Sequence, residues 1–529
     1  MGKMKINFAR MYRDNMLKFA NKVALYNIER NRKFTYKELD LLTNKIGHLL
    51  TDHFGMGEGD TYATLLENDN MSFFNFGPYK TEVAGLWLNY RDNIKEHLYQ
   101  IDFVRPKVIF LEEVLLTKDN YLEELTKRGI KIVAMDKGET VYSEVEYFGD
   151  IIEHQSNERF NVEYDIDDHI ILYRFTGGTT GRGKCAMYTY RNIFGTIVQN
   201  HSIQGNVYNE ETKFLHVTPM SHATGAFAPA VHLKGGTNYT INLPDLNLLC
   251  KTVEEYDINT TFAVPTLLYR LEELGLHDTY DLSSLDCVIY GASPMSPSKL
   301  ELLQQQFGNI FIQGYGSTEA FPPVLILAKN DHIFETEEDR KRLTSAGRPL
   351  LGVEMFVANP DGVEVPTGMI GEIWIRSNSV IKGYKDAPEE TASEFHNGFW
   401  KSGDLGYVDD KGYFYIVDRK KDMIITGGFN VYAVEVENAL NSHPAVSNSV
   451  VIGVPDADWG EKVHAEVVLR EGNSISAEEL VAHVTDHLPK YKVPKSLVFV
   501  DELPTSTVGK ILRRHVKDKY WQDSVRKVN

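Results

Sequence analysis

"FTGGTTGRGKCAMYTYRN", residues 175–192, packs glycines, threonines and one lysine together just after the apolar run "HIILYRF" (169–175). Bare backbone, hydroxyl donors and a positive charge are what a phosphate-holding loop offers. From Gly178 to Lys184 the string also fits G-x-x-x-x-G-K, the first part of a Walker A motif. A Walker A loop runs directly into a helix and has Ser or Thr after the lysine as a magnesium ligand. Here Cys185 follows Lys184, and sulfur suits a hard cation poorly. "CAMYTY" (185–190) is β-branched and aromatic, so a helix is predicted only from "RNIFGTIVQ" (191–199). The residues therefore read as a flexible Thr/Gly/Lys loop that wraps a triphosphate without a P-loop fold.

The chain has 529 residues, enough for about three or four folding units. Its 42% hydrophobic and 25% charged content is ordinary for a globular protein. A formal net charge of −18 argues against broad binding to nucleic acid or an anionic membrane. Cys185, Cys250 and Cys287 lie far apart with no C-x-x-C pair, so neither a disulfide framework nor a zinc site is indicated. The N-terminus has charges scattered through it and lacks the uninterrupted apolar stretch of a signal peptide. No apolar run of about 18 residues occurs, so no membrane span is expected. These features together predict a reducing, cytoplasmic location.

Residues 1–150 alternate helical and strand-like patterns. "YKELDLLTNKIGHLLTDHF" (36–54) has apolar residues at helical spacing, while "PKVIFLEE" (106–113) and "IKIVAMDK" (130–137) read as short buried strands. That alternation predicts an α/β architecture with parallel-rich sheets. "HIILYRF", "NTTFAVP" (259–265), "LDCVIYGAS" (285–293) and "NIFIQGYGSTE" (309–319) each end an apolar run in a Gly-, Pro- or Ser-containing turn. Ligands bind beyond the carboxyl ends of strands in such sheets, so these four ends are expected to wall one site. From about residue 345, "GVEMFVANPDG", "IGEIWIRS" and "GYFYIVDRK" predict a small antiparallel β subdomain. Beyond 418–422 the pattern changes to a small α+β domain, with "VYAVEVENALNSH" and "SAEELVAHVTDHL" as helices and "VSNSVVIGVPD" and "VHAEVVLR" as strands. The expected division is 1–418 and 419–529.

"FTGGTTGRGK" resembles the phosphate loop of the adenylate-forming superfamily, whose usual form is Y-T-S-G-T-T-G-x-P-K-G. The chain departs from it at Gly177, Gly183 and Cys185, and the loss of the proline at 183 implies a more mobile loop. The resemblance continues in order along nearly the whole chain. It includes "TPMSHATG" (218–225), "YGASP" (290–294), "QGYGSTE" (313–319), "GEIWIRS" (371–377) and "KSGDLGYVD" (401–409). "DRKKDMIITGGFNVYAVEVE" (418–437), with Ala433 in place of a usual proline, and "LPTSTVGKILRR" (503–514) complete it. Among its members the chain looks most like an acyl-CoA synthetase, an AMP-forming acid–thiol ligase.

That resemblance implies a role for each matching residue. Thr176, Gly177, Gly178, Thr179, Thr180, Gly181 and Lys184 would face the phosphates of ATP. Gly291, Ala292, Ser293, Gln313, Gly314, Tyr315, Gly316 and Thr318 would surround the nucleotide, with Tyr315 stacked on adenine. Asp404 would accept hydrogen bonds from both ribose hydroxyls, with Arg419 reaching the ribose and phosphate side. Glu319, with Thr179, would hold Mg2+, since a hard cation takes carboxylate oxygen. Lys510 would bridge the incoming carboxylate and the α-phosphate, where negative charge gathers. His222 is the expected gate between nucleotide, acyl pocket and thiol tunnel. Val264, Gly291, Ala292 and Gly314 would line the acyl pocket with it. Lys421 falls at the hinge position, and Gly427, Gly428 and Phe429 would form the face toward the pantetheine arm of CoA.

The expected substrates are ATP, CoA and a small carboxylic acid, and the expected assembly is a monomer or homodimer with no nucleic-acid partner. Alternatives are an acyl-AMP ligase serving a carrier-protein thiol in trans, an enzyme whose adenylate is the end product, and a non-catalytic nucleotide- or acyl-binding regulator. Amino-acid-activating relatives present an Asp to the substrate ammonium. The corresponding place here is taken as "VHLKGG" (231–236), which has no carboxylate and so favours a fatty or aryl acid.

Overall fold

Two large, mostly parallel sheets form the first part of the molecule. The computed structural model describes residues 4–76, 78–177, 183–205, 207–242, 245–506 and 510–521. The eight-stranded sheet is built on the parallel strands Thr61–Leu65, Ala84–Trp87, Val108–Leu111, Lys131–Ala134, Val145–Tyr147 and Ile170–Phe175. Several are continuous apolar runs, such as "VIFL", because helices cover both faces of a parallel sheet. The nine-stranded sheet has as its parallel centre Val23–Asn27, Lys213–His216, Thr237–Thr240, Thr260–Ala263, Cys287–Gly291 and Phe311–Tyr315. The helix expected at 36–54 forms over Tyr36–His48, opened by a reciprocal Thr35–Glu38 capping box, and continues as a π turn to His53.

A third, antiparallel sheet combines Val353–Ala358, Gly371–Ser377, Phe395–His396, Phe399–Val408 and Phe414–Arg419. The chain leaves it at Arg419 and enters the last sheet at Ile424. There Ile424–Thr426, Phe429–Val431, Val446–Asp456 and Gly460–Leu469 pair antiparallel, and Ser496–Phe499 adds in parallel. Helices Ala433–Asn441 and Ala477–His487 pack on it, around an apolar cluster drawn wholly from residues 424–497. The fold class is the one expected: α/β with parallel-rich sheets, a small antiparallel subdomain and a small α+β C-terminal part. Among the described residues no helix is long and apolar enough to cross a membrane.

The four strand ends expected to wall one site come from two sheets. Three of the four strands expected to wall one site do share the nine-stranded sheet, but Ile170–Phe175 lies in the other one. It pairs in parallel with Ala84–Trp87 and antiparallel with Cys185–Thr189. Which sheet a strand joins is decided by partners distant in sequence, and a local apolar pattern carries no trace of them.

Candidate active site

The strand–loop–strand order around Lys184 disposes of the Walker A reading. Cys185–Thr189 is a strand that turns back along Ile170–Phe175, and the helix begins only at Tyr190. The loop therefore closes a hairpin instead of opening a helix. The Thr176 amide donates to the Lys184 carbonyl at 2.9 Å, and the Lys184 amide to the Thr176 hydroxyl at 3.0 Å. A Cβ on Gly183 would stand 2.2 Å from the Thr176 carbonyl oxygen, so this hairpin neck admits glycine where the family has proline. Gly178, Thr179, Thr180 and Gly181 lie outside the described residues, and with them the expected Thr179 contribution to a metal site.

Cys185 is buried, and burial pushes its thiol up to about 12. That is the opposite of an activated nucleophile. Cys185→Ala is expected to keep both acyl-AMP and thioester formation within about threefold of wild type. Loss of both half-reactions in a folded variant would refute this.

Four adjacent parallel strands, Lys213–His216, Thr260–Ala263, Cys287–Gly291 and Phe311–Tyr315, present their carboxyl ends side by side. His222 follows the first and Val264 the second. Gly291, Ala292 and Ser293 close the third, and Gly314 to Glu319 close the fourth. Gly291 and Gly314 are register partners, while Val264 and Ala292 share one apolar cluster. The left-handed φ of +71° at Ala292 gives a sharp exit from its strand. Gln313 is engaged on the core side, where its carbonyl oxygen accepts from Tyr290 Oη at 3.1 Å.

The antiparallel sheet supplies the opposite wall. Asp404 and Arg419 are register partners on neighbouring strands. Buried Asp404 accepts Tyr315 Oη at 2.6 Å on one oxygen and lies 3.3 Å from Arg419 Nε on the other. Its two acceptor oxygens thus tie the nine-stranded sheet to the third sheet.

Glu319 meets residues that the sequence motifs do not single out. Tyr384 Oη donates to Glu394 at 2.6 Å and lies 3.2 Å from Glu319 Oε1. Lys184 pairs with Glu394 and sits 4.1 Å over the Tyr384 ring. Tyr188 donates to the Thr318 carbonyl. The loop lysine and Glu319 are therefore brought together by Tyr384, from the short strand Gly383–Tyr384 that pairs with Cys185–Thr189. Among the described residues no group of three or more His, Cys, Asp or Glu could hold a metal ion unaided. The donors fit a cation that arrives with phosphate oxygens, since Mg2+ takes one or two carboxylates and leaves the remaining positions to substrate and water.

Lys510 comes into this site from the far end of the chain. Its loop is closed by Ser506, whose hydroxyl accepts the Lys510 amide at 3.1 Å and whose amide donates to the Lys510 carbonyl at 2.7 Å. The residue is exposed, with its ammonium within electrostatic reach of Arg419, Asp404 and Glu319. Burial and then the neighbouring Arg419 pull that ammonium down to about 8, with Asp404 and Glu319 acting the other way. Burial, then Arg174, Lys510 and Arg91, push His222 down to about 3, so its imidazole is neutral at ordinary pH. Arg174, another residue outside the motifs, is buried and lies 5.1 Å over the Phe321 ring.

Lys421 lies in the turn between the third and last sheets. Gly427 and Gly428, both at positive φ, form the two-residue turn of the Ile424–Val431 hairpin. Both are exposed, as is Phe429, whose ring is 4.9 Å from Tyr491. The segment 231–236 is misassigned as an acid-facing place. Val231 is fully buried and His232 stacks on Tyr36 at 4.4 Å, so its lack of a carboxylate reflects core packing and says nothing about the substrate.

Comparison with known proteins agrees with this geometry. The family of AMP-binding enzymes matches residues 12–385, and the AMP-binding enzyme C-terminal domain matches 435–510. The medium/long-chain-fatty-acid–CoA ligase FadD8 of Mycobacterium tuberculosis is 38% identical over 368 residues, 68% of this chain and 63% of its own length. A feruloyl-CoA synthase of an Amycolatopsis species is 39% identical over 355 residues, 67% of this chain and 70% of its own. ATP-bound MatB from Rhodopseudomonas palustris superimposes with a TM-score of 0.86 at 26% identity, over 98% of this chain and 99% of that one. With both family domains present in order, the chain belongs to the AMP-binding family of adenylate-forming enzymes.

Proposed function

We propose that this AMP-forming acid–CoA ligase activates a fatty or aryl carboxylic acid as its acyl-AMP and passes the acyl group to the thiol of CoA. The observation that supports this most is the meeting of Lys510, Glu319, Asp404 and Arg419, contributed by widely separated parts of the chain. The choice of acid rests on the relatives, one named for medium/long-chain fatty acids and one for a feruloyl group.

A carboxylate is a poor electrophile because it is anionic and lacks a good leaving group. In the first step its oxygen attacks the α-phosphorus of ATP, the bond to the β-phosphate oxygen breaks, and pyrophosphate leaves. Lys510 stabilises the charge that develops at the α-phosphate. Lys184 and the Thr/Gly loop hold the outgoing phosphates. Asp404 exchanges its Tyr315 and Arg419 contacts for the ribose hydroxyls. Mg2+, held by Glu319 and phosphate oxygens, would neutralise phosphate charge. In the second step the thiolate of CoA attacks the acyl carbonyl and AMP departs. Neutral His222 stands between the two reactions as a hydrogen-bonding gate and not as a cation.

The two parts are the domains 1–418 and 419–529, and Lys421 is the hinge about which the smaller one turns between steps. That rotation brings Gly427, Gly428 and Phe429 to the pantetheine arm. The enzyme works as a monomer or homodimer in the cytoplasm.

The test is pyrophosphate release from ATP across a panel of fatty and aryl acids, with and without CoA. Acid-dependent pyrophosphate, with AMP and thioester appearing together once CoA is added, is the expected result. Undiminished turnover without CoA would make the adenylate the end product. Thioester formed only on a carrier-protein pantetheine would move the acceptor to a protein in trans. No turnover with any acid would leave a binding protein.

A further inference from the structure

Away from the nucleotide, the C-terminal part touches the large part at a second place. Helix Pro265–Glu273 ends in Glu272 and Glu273, and helix Pro297–Phe307 carries Ser298 and Lys299 in its first turn. Arg470 reaches Glu272 with Nη1 3.1 and 3.4 Å from its two carboxylate oxygens, and both side chains are largely buried. Ser447 Oγ donates to Glu273 at 2.6 Å, and Ser298 Oγ lies 3.4 Å from the Asn441 carbonyl. Lys299 is 4% exposed and donates its ammonium to the Val446 carbonyl at 2.8 Å. Burial and then Arg470 pull that ammonium down to about 8, while Glu273 and Glu272 oppose the shift.

These contacts are polar, specific and costly to leave unmade, because a buried ammonium or guanidinium without its partner bears its full desolvation penalty. The second helix starts at Pro297, a short stretch beyond the Gly291–Ser293 turn that closes the third strand. A body joined through one short turn can rotate unless contacts elsewhere hold it, and a contact made in one arrangement only biases the equilibrium by its own energy.

We infer that Glu272–Arg470, Glu273–Ser447 and Lys299–Val446 form a latch that holds the C-terminal domain where Lys510 meets Glu319 and Asp404, making these side chains positioning residues for acyl-AMP formation. The inference rests on the two-step reading proposed above. The latch opens when the domain turns, so its loss slows the first step and leaves the second alone.

Charge reversal and its repair test this. Glu272→Arg and Arg470→Glu, each alone, are expected to lower acid-dependent ATP–pyrophosphate exchange about five- to twentyfold, with the doubly swapped protein back within about twofold. Thioester formation from supplied acyl-AMP and CoA should stay level or rise in all three. Ser447→Ala, a milder change, should move exchange about threefold in the same direction. Single variants exchanging at the wild-type rate would overturn the latch. So would equal losses in both half-reactions that the swap does not repair. Wild-type protein with no exchange on any acid would overturn the two-step reading and the latch together.

Discussion

Lys510→Ala is expected to reduce acyl-AMP formation about 10²–10³-fold, the usual consequence of removing one donor from a transition state that gathers charge. That loss corresponds to about 2.7–4 kcal/mol of transition-state stabilisation. Thioester formation from supplied acyl-AMP should be nearly unchanged, because no new charge appears on the α-phosphate in that step. The pH dependence gives a second signature. Burial and then Arg419 pull the ammonium down to about 8, and only its protonated form can act. The kcat/KM of adenylation should therefore hold below about pH 8 and fall above it, since that ratio reports the free enzyme's groups. Lys510→Arg, permanently charged, should lose this alkaline limb even where its geometry slows the reaction. Equal loss of both half-reactions in Lys510→Ala, or an unchanged alkaline limb in Lys510→Arg, would refute the assignment.

Lys421→Pro should produce the converse defect. Proline locks φ near −65° and so removes the backbone freedom a hinge needs. The turn is closed by the amides of Lys420, on the Gly403 carbonyl at 2.9 Å, and of Asp422 and Met423, on the Arg419 carbonyl at 2.9 and 3.1 Å. Proline at 421 deletes none of these three, so the arrangement with Lys510 in the site should persist and adenylation stay within about threefold. If Lys421 is the hinge, transfer to CoA should fall by about tenfold or more, because the rotation that would gate it is blocked. Acyl-AMP would then accumulate on the variant, detectable by quenching a single turnover. Wild-type transfer rates would remove Lys421 from the hinge.

The chemistry of this chain was legible where it is written contiguously. Glycine-rich strand ends, the Asp404 segment and the Lys510 segment carry their meaning in adjacent residues. The antiparallel texture after residue 345 shows as period-two patterns cut by Asp-Gly and Lys-Gly turns. Tyr384, Glu394 and Arg174 were not legible. Tyr384 reaches Glu319 because Gly383–Tyr384 pairs with a strand about two hundred residues earlier, and Arg174 looks like one more residue of a buried strand. That Ile170–Phe175 joins the other sheet and that 231–236 packs into the core were illegible for the same reason: sheet membership and which face is core depend on non-local partners. The glycine at 183 was visible as a departure from the family, but its cause, the Thr176 carbonyl behind it, required coordinates.

The tyrosines that cross the site have a thermodynamic consequence. Tyr188 and Tyr384 belong to the eight-stranded sheet, while Thr318 and Glu319, which they meet, close a strand of the nine-stranded one. A nucleotide bound between Lys184 and Glu319 would be held by both bodies at once. Its binding energy then counts against their separation, by RT ln(1 + [L]/Kd), or about 2.7 kcal/mol at a hundredfold excess over Kd. Saturating ATP should accordingly raise the melting temperature and slow amide exchange along 185–189 and 316–320, far more than in the Ala477–His487 helix.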